Sequence, residues 1–110
     1  MKTKYRLRHA ADFRAVRGER QGAGDSVLRI QVRANGLGHP RLGIVASKRL
    51  GGAVVRNRLR RRLRAQIAAR LWTLGAHDLV VIPQPAALSA DAASLGASLQ
   101  RALQRAGVAR

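Results

Sequence analysis

With 110 residues, 46% of them apolar, the chain suffices for one compact domain with one core and not for two. Its 22 basic and 5 acidic residues give a net charge of +17, and acids so few and scattered argue against a metal-dependent nuclease built on clustered carboxylates. The absence of cysteine excludes disulfides and thiolate metal sites, and no apolar run approaches the roughly 20 residues of a membrane span.

The opening MKTKYRLRHAADF is basic and lacks the apolar stretch of a secretory signal, so a cytoplasmic protein is expected. Residues 9–17 predict a short helix with Phe13 and Val16 on one face and Leu7 stapling its start. Residues 18–25 are a Gly-rich turn or loop that could hold one further short strand. Residues 26–33 alternate: Leu28, Ile30 and Val32 point one way, Val27, Arg29, Gln31 and Arg33 the other. Residues 41–47 predict a second strand antiparallel to the first, with Gly43 marking a close backbone approach or a bulge.

A long helix is expected from Ala53 to Leu71, reached through Gly51-Gly52. Val55, Leu59, Leu63, Ile67 and Leu71 recur at spacing four and face a core, with Leu74 three further on. Gly75 is read as the residue that ends it. Leu79 to Ile82 is a continuous apolar run, suited to a strand buried on both faces and stopped by Pro83 and Pro85. Ser89 is read as the N-cap of a last helix over residues 90–106, with Asp91 in its first turn, Leu95, Leu99 and Leu103 on its apolar face, and Gly107 closing it. The order α-β-β-α-β-α predicts a small α/β (α+β) two-layer sandwich, one mixed sheet with helices packed on it.

The long helix carries the charge. Asn57, Arg60, Arg61 and Arg64 recur at i, i+3, i+4 and i+7 and share the face opposite the apolar stripe, flanked by Arg56, Arg58 and Arg62. No acid lies between Asp25 and Asp78, a span holding twelve of the 22 basic residues. Like charges at i,i+4 destabilise a helix by about 0.2–0.5 kcal/mol per pair. A one-sign ridge of this kind differs from an ordinary solvated face, and its counter-charge is expected from a polyanion. Arginine, far more abundant here than lysine, suits bidentate phosphate contact.

Few groups are suited to catalysis. His9, His39 and His77 are isolated and read as surface or loop residues; Ser47 and Ser89 have no base in view. Tyr5 and Trp72 are read as packing residues, which leaves Phe13 as the best single stacking candidate. The function derived from these residues is binding.

The stretch RLGIVASKRLGGAVVRNRLRRRLRA resembles the signature of the bacterial ribonuclease P protein subunit. The matching residues are Ser47-Lys48-Arg49, Gly51, Ala53-Val54, Arg56-Asn57-Arg58, Arg60-Arg61 and Arg64; the element order, the opening RLRHAADF and the length also fit, over nearly the whole chain. The resemblance implies a left-handed βαβ crossover, against the usual right-handed preference. It implies a monomeric protein in a 1:1 complex with a catalytic RNA, the pair hydrolysing the 5′ leader from precursor tRNA with magnesium held mainly by the RNA, and no catalytic residue in the protein. Arg56, Asn57, Arg58, Arg60, Arg61 and Arg64 would face the catalytic RNA. Phe13, Arg29, Lys48 and Arg49 would line a cleft for the single-stranded leader. Three departures stand out: Gly52 replaces the usual Asn, Ala65 replaces the usual acid, and Arg17 and Arg29 fall where relatives often carry aromatics. The alternative is a structural RNA-binding protein of ribosomal-protein type with no part in cleavage.

Overall fold

A computed structural model describes residues 2–109. Three helices, α1 (Ala10–Glu19), α2 (Ala53–Ala68) and α3 (Ala92–Arg105), accompany four strands, β1 (Gly22–Gly24), β2 (Leu28–Ala34), β3 (Arg41–Ile44) and β4 (His77–Pro83). The sheet order is β1-β2-β4-β3. β2 pairs antiparallel with both β1 and β4, while β3 and β4 are parallel and joined through α2. The expected order of elements therefore holds, and the Gly-rich stretch does contain the further strand. β2 and β3 run in opposite directions as expected, but β4 lies between them.

β4 is central because its alternate residues serve two apolar layers. Leu79 and Val81 join Leu28, Ile30 and Val32 of β2, Leu59, Leu63 and Ile67 of α2, and Leu95, Leu99 and Leu103 of α3. Val80 and Ile82 point to the other face and pack with Leu7, Phe13, Val16 and Val45. So α2 and α3 cover one side of the sheet, and α1 with the segment before it covers part of the other.

Both edges of the sheet are short or covered. β1 is only three residues long. Along β3, the backbone of Arg6 bridges to Leu42, and the Leu7 N–H donates to the Leu42 carbonyl at 2.9 Å. A paired edge cannot template another strand.

Helix ends depart from the sequence reading in three places. α2 stops at Ala68; Leu71 and Leu74 still pack on the core from a 3-10 turn at Leu71–Thr73 and just beyond it. Gly75 follows that turn and donates its N–H to the Val108 carbonyl at 3.2 Å. The stripe begins at Leu59, since Val55 is 38% exposed. Asp91, and not Ser89, caps α3: its carboxylate accepts the Ser94 N–H at 2.7 Å. At the far end Gly107, at φ +75°, allows the Gly107 and Val108 N–H groups to reach the Gln104 and Leu103 carbonyls at 3.0 and 3.1 Å, a Schellman closure.

Two aspartates brace the frame. Asp78, buried in β4, receives a two-pronged contact from Arg41 (Nε 2.8 Å, Nη2 2.7 Å) and the Asn35 amide at 2.9 Å. Burial would raise its pKa, but these donors hold the carboxyl below the usual carboxylate range. Asp25 ties the loop before β2 to α3. It accepts the Ser98 hydroxyl at 2.7 Å, the Val27 and Leu28 N–H groups at 2.9 and 3.2 Å, and Arg101 at 3.2 Å. Burial again opposes the charge, and these hydrogen bonds outweigh it, bringing Asp25 to about 2.

Candidate nucleic-acid interface

The α2 ridge is built as its periodicity dictates. Leu59, Leu63 and Ile67 are buried, so the residues between them turn outward. Asn57, Arg58, Arg61 and Arg64 are exposed, and Arg56, Arg60 and Arg62 are half-buried. Arg60 donates to the Asn57 side-chain oxygen at 3.0 Å, which fixes two ridge residues relative to each other. Arg62 turns back and donates to the Ala90 carbonyl. Arg56 Nε is buried and makes no hydrogen bond within the protein.

Among the described residues, no ion pair involves α2. Asp12 and Asp78 are taken by Arg41, Glu19 by Arg33, and Asp25 by Arg101. Asp91, the remaining acid, caps α3. Among the described residues the ridge therefore has no ion-paired counter-charge, and the acids that could supply one hold the frame together.

The second set of site residues is distributed more widely than the sequence reading expects. Phe13 is half-buried and sits over Gly43 of β3, where a Cβ would collide with its ring. It lines a small depression of about 120 Å³ together with Arg6, Leu7, Gly43, Arg64 and Ile67. One residue from each predicted set, Phe13 and Arg64, thus shares a single concavity. Arg29, Lys48 and Arg49 do not line it. Arg29 is exposed on the α1 side of β2, beside Gln31, whose side-chain oxygen is buried without a partner. Lys48 and Arg49 are exposed in the 3-10 turn before α2, where Arg49 donates to the Gln84 side chain at 3.0 Å. Sequence reasoning missed Arg6; its signal was the alternation of basic and apolar residues in Arg6-Leu7-Arg8, which pairs this segment with β3.

Trp72, expected to pack, and His77, expected in a loop or on the surface, differ from the sequence reading. Trp72 is 82% exposed and does not pack, because the turn that carries it breaks the phase of α2. His77 is the first residue of β4 rather than a loop residue, though its neighbour Asp78 belongs to Arg41, so the two form no pair. No group of three or more His, Asp or Glu side chains among the described residues is placed to hold a metal ion.

A family model described as Ribonuclease P matches residues 1–107. The chain belongs to the ribonuclease P protein family. It is 42% identical over 106 residues to the ribonuclease P protein component of Acidothermus cellulolyticus, covering 94% of this chain and 88% of that protein. It is 39% identical over 110 residues to the component of Roseiflexus castenholzii, covering 98% and 90%. The RNase P protein of Staphylococcus aureus superposes with a TM-score of 0.88 at 29% identity, over 96% of this chain and 98% of that one. The positions read from the sequence as departures from the ribonuclease P protein pattern lie in exposed places. Gly52 is the N-cap of α2 and offers no side-chain cap, and Ala65 lies exposed on the same helix as the ridge. Arg17 is exposed on α1.

Proposed function

We propose that this ribonuclease P protein binds the catalytic RNA of the enzyme through the α2 ridge, with Arg56, Asn57, Arg58, Arg60, Arg61 and Arg64 as contacts. Phe13 packs against a base of the precursor-tRNA leader, and Arg29, Lys48 and Arg49 supply charge to leader phosphates. The complex has one protein and one RNA and works in the cytoplasm. Hydrolysis of the phosphodiester that frees the mature tRNA 5′ end is carried out by the RNA.

The observation that carries this reading is the uncompensated ridge. Phosphates are the counter-ions that a row of exposed guanidinium groups at helical spacing can take up together, and releasing their condensed cations drives association. The carboxylates do not fit a magnesium site of the protein's own, since each is engaged by arginine or by a helix N-terminus. The magnesium required for hydrolysis is therefore assigned to the RNA.

The test is reconstitution. Purified protein alone should leave precursor tRNA intact, and should raise cleavage by the family's catalytic RNA when magnesium is limiting. No change in cleavage at any magnesium concentration would overturn the assignment. Co-sedimentation with ribosomal subunits in place of that effect would favour the structural RNA-binding alternative.

A further inference from the structure

Beyond the ridge and the Phe13 concavity, a third surface carries features of a ligand site. Trp72, the chain's only tryptophan, is 82% exposed. It borders an open depression of about 350 Å³ with Tyr5, His39, Pro40, Leu71 and Leu74. The Tyr5 and His39 rings meet edge to face, 5.6 Å between centroids, and Lys4 Nζ stands 4.9 Å from the centre of the Tyr5 ring. The lining is thus aromatic and apolar, an ammonium stands beside its Tyr5 ring, and the indole face is exposed.

Two segments of the chain link this depression to the interface already described. The 3-10 turn Leu71–Thr73 follows α2, so Trp72 stands a few residues beyond the helix that bears the ridge. Tyr5 precedes Arg6, which lines the neighbouring concavity with Arg64 and Phe13. The two acids nearest in sequence, Asp12 and Asp78, are both held by Arg41, so neither is an unpaired carboxylate that would repel a phosphate.

We propose that Trp72 is a stacking platform for one unpaired base of a bound RNA, with Lys4 on the adjoining phosphate. The inference rests on the RNA-binding reading above and adds a site to it. RNA-binding surfaces combine positive charge with an exposed aromatic face, because every base offers a π-face and every linkage a phosphate. Tyr5 and His39 brace one wall of the depression. The His39 Nδ1 lies 3.0 Å from the Pro40 carbonyl, which can only accept, so Nδ1 donates that bond and the ring is held in place by it.

Because Trp72 is the sole tryptophan, its emission reports this site alone. The experiment titrates the full chain with a short oligoadenylate, with the same oligomer made abasic, and with inorganic polyphosphate. Oligoadenylate should quench the emission; the abasic oligomer and polyphosphate should bind without quenching. Trp72→Ala should fold normally, given its exposure, and lose about tenfold in affinity for oligoadenylate with an unchanged salt slope. Trp72→Phe should recover most of that loss. Equal affinity of Trp72→Ala and the parent, or equal quenching by the abasic oligomer, would overturn the proposal. The ridge is judged separately in the same titrations: a normal salt slope with an inert Trp72 removes the platform and leaves the ridge reading standing.

Discussion

The ring of Phe13 occupies the space that a side chain at residue 43 would fill. A Cβ built on Gly43 overlaps the ring and comes within 3.3 Å of the Leu7 Cβ. The glycine is thus the seat that lets α1 lie close to β3, and the pair fixes the shape of the concavity that Arg64 joins from the other side of the sheet edge.

Gly43→Ala should displace the ring and lower stability by about 1–3 kcal/mol, the usual cost of overpacking. In a Phe13→Ala background the same change should cost much less, because the colliding atoms are gone. Urea melts of the four proteins of this cycle measure the coupling; strict additivity would separate the two residues.

Arg60→Ala with Arg61→Ala should leave the melt nearly unchanged, since among the described residues neither makes an ion pair and, of the two, Arg60 alone makes a side-chain hydrogen bond, to Asn57. RNA affinity should fall, and the slope of log K against log salt should flatten by up to about 2 units if both contact phosphates. An unchanged slope would take both side chains out of the interface.

Acid should act through Asp25. Its carboxyl sits at about 2 when folded, against an ordinary value of 3.8. The unfolded chain therefore binds more protons between these values, so stability rises with pH across that window. The contribution is complete above the ordinary value and disappears as the pH falls through about 2. Asp78, lowered by Arg41 and Asn35 against the cost of its burial, adds a loss of the same sign. Asp25→Asn should flatten the acid limb of a plot of urea midpoint against pH taken from about pH 5 downward. A limb as steep as the parent's would place the titration elsewhere.

The start of α2 can be improved. Gly52 has φ −72° and open space where a Cβ would go, and its helix has no side-chain cap. Gly52→Asn should raise stability by a few tenths of a kcal/mol, more if the unfolded chain is also stiffened. Gly51→Ala should do the reverse, because φ is +134° and the added carbon would lie 3.1 Å from the Val55 Cβ. Differential melts of the two variants check the contrast.

Much of the frame was legible because it rests on periodicity. Leu59, Leu63 and Ile67 at spacing four, and the alternation of Leu28, Ile30 and Val32, lead directly to α2 and β2. The two-sided burial of β4 follows from an apolar run in which alternate residues meet different layers. β1 was hidden because Gly-Ala-Gly has no alternation; it is a strand only by pairing with β2. The insertion of β4 between β2 and β3 is a long-range fact that no local pattern encodes. Asp91 and Ser89 are both good capping residues two positions apart, and only the placed backbone distinguishes them. The ridge was readable from one-sign charge at helical spacing. The concavity was not, since it needs Arg6 and Arg64 to meet Phe13 across β3.

The strip of backbone that Arg6 and Leu7 lay along β3 has a consequence for the free protein before any partner arrives. A chain lacking its first seven residues would offer the row of amides and carbonyls along β3 to a stray strand, and a second copy is the most abundant donor at high concentration. Such a truncation should show up as self-association in light scattering, so the leading residues also guard the molecule against clumping with its own kind.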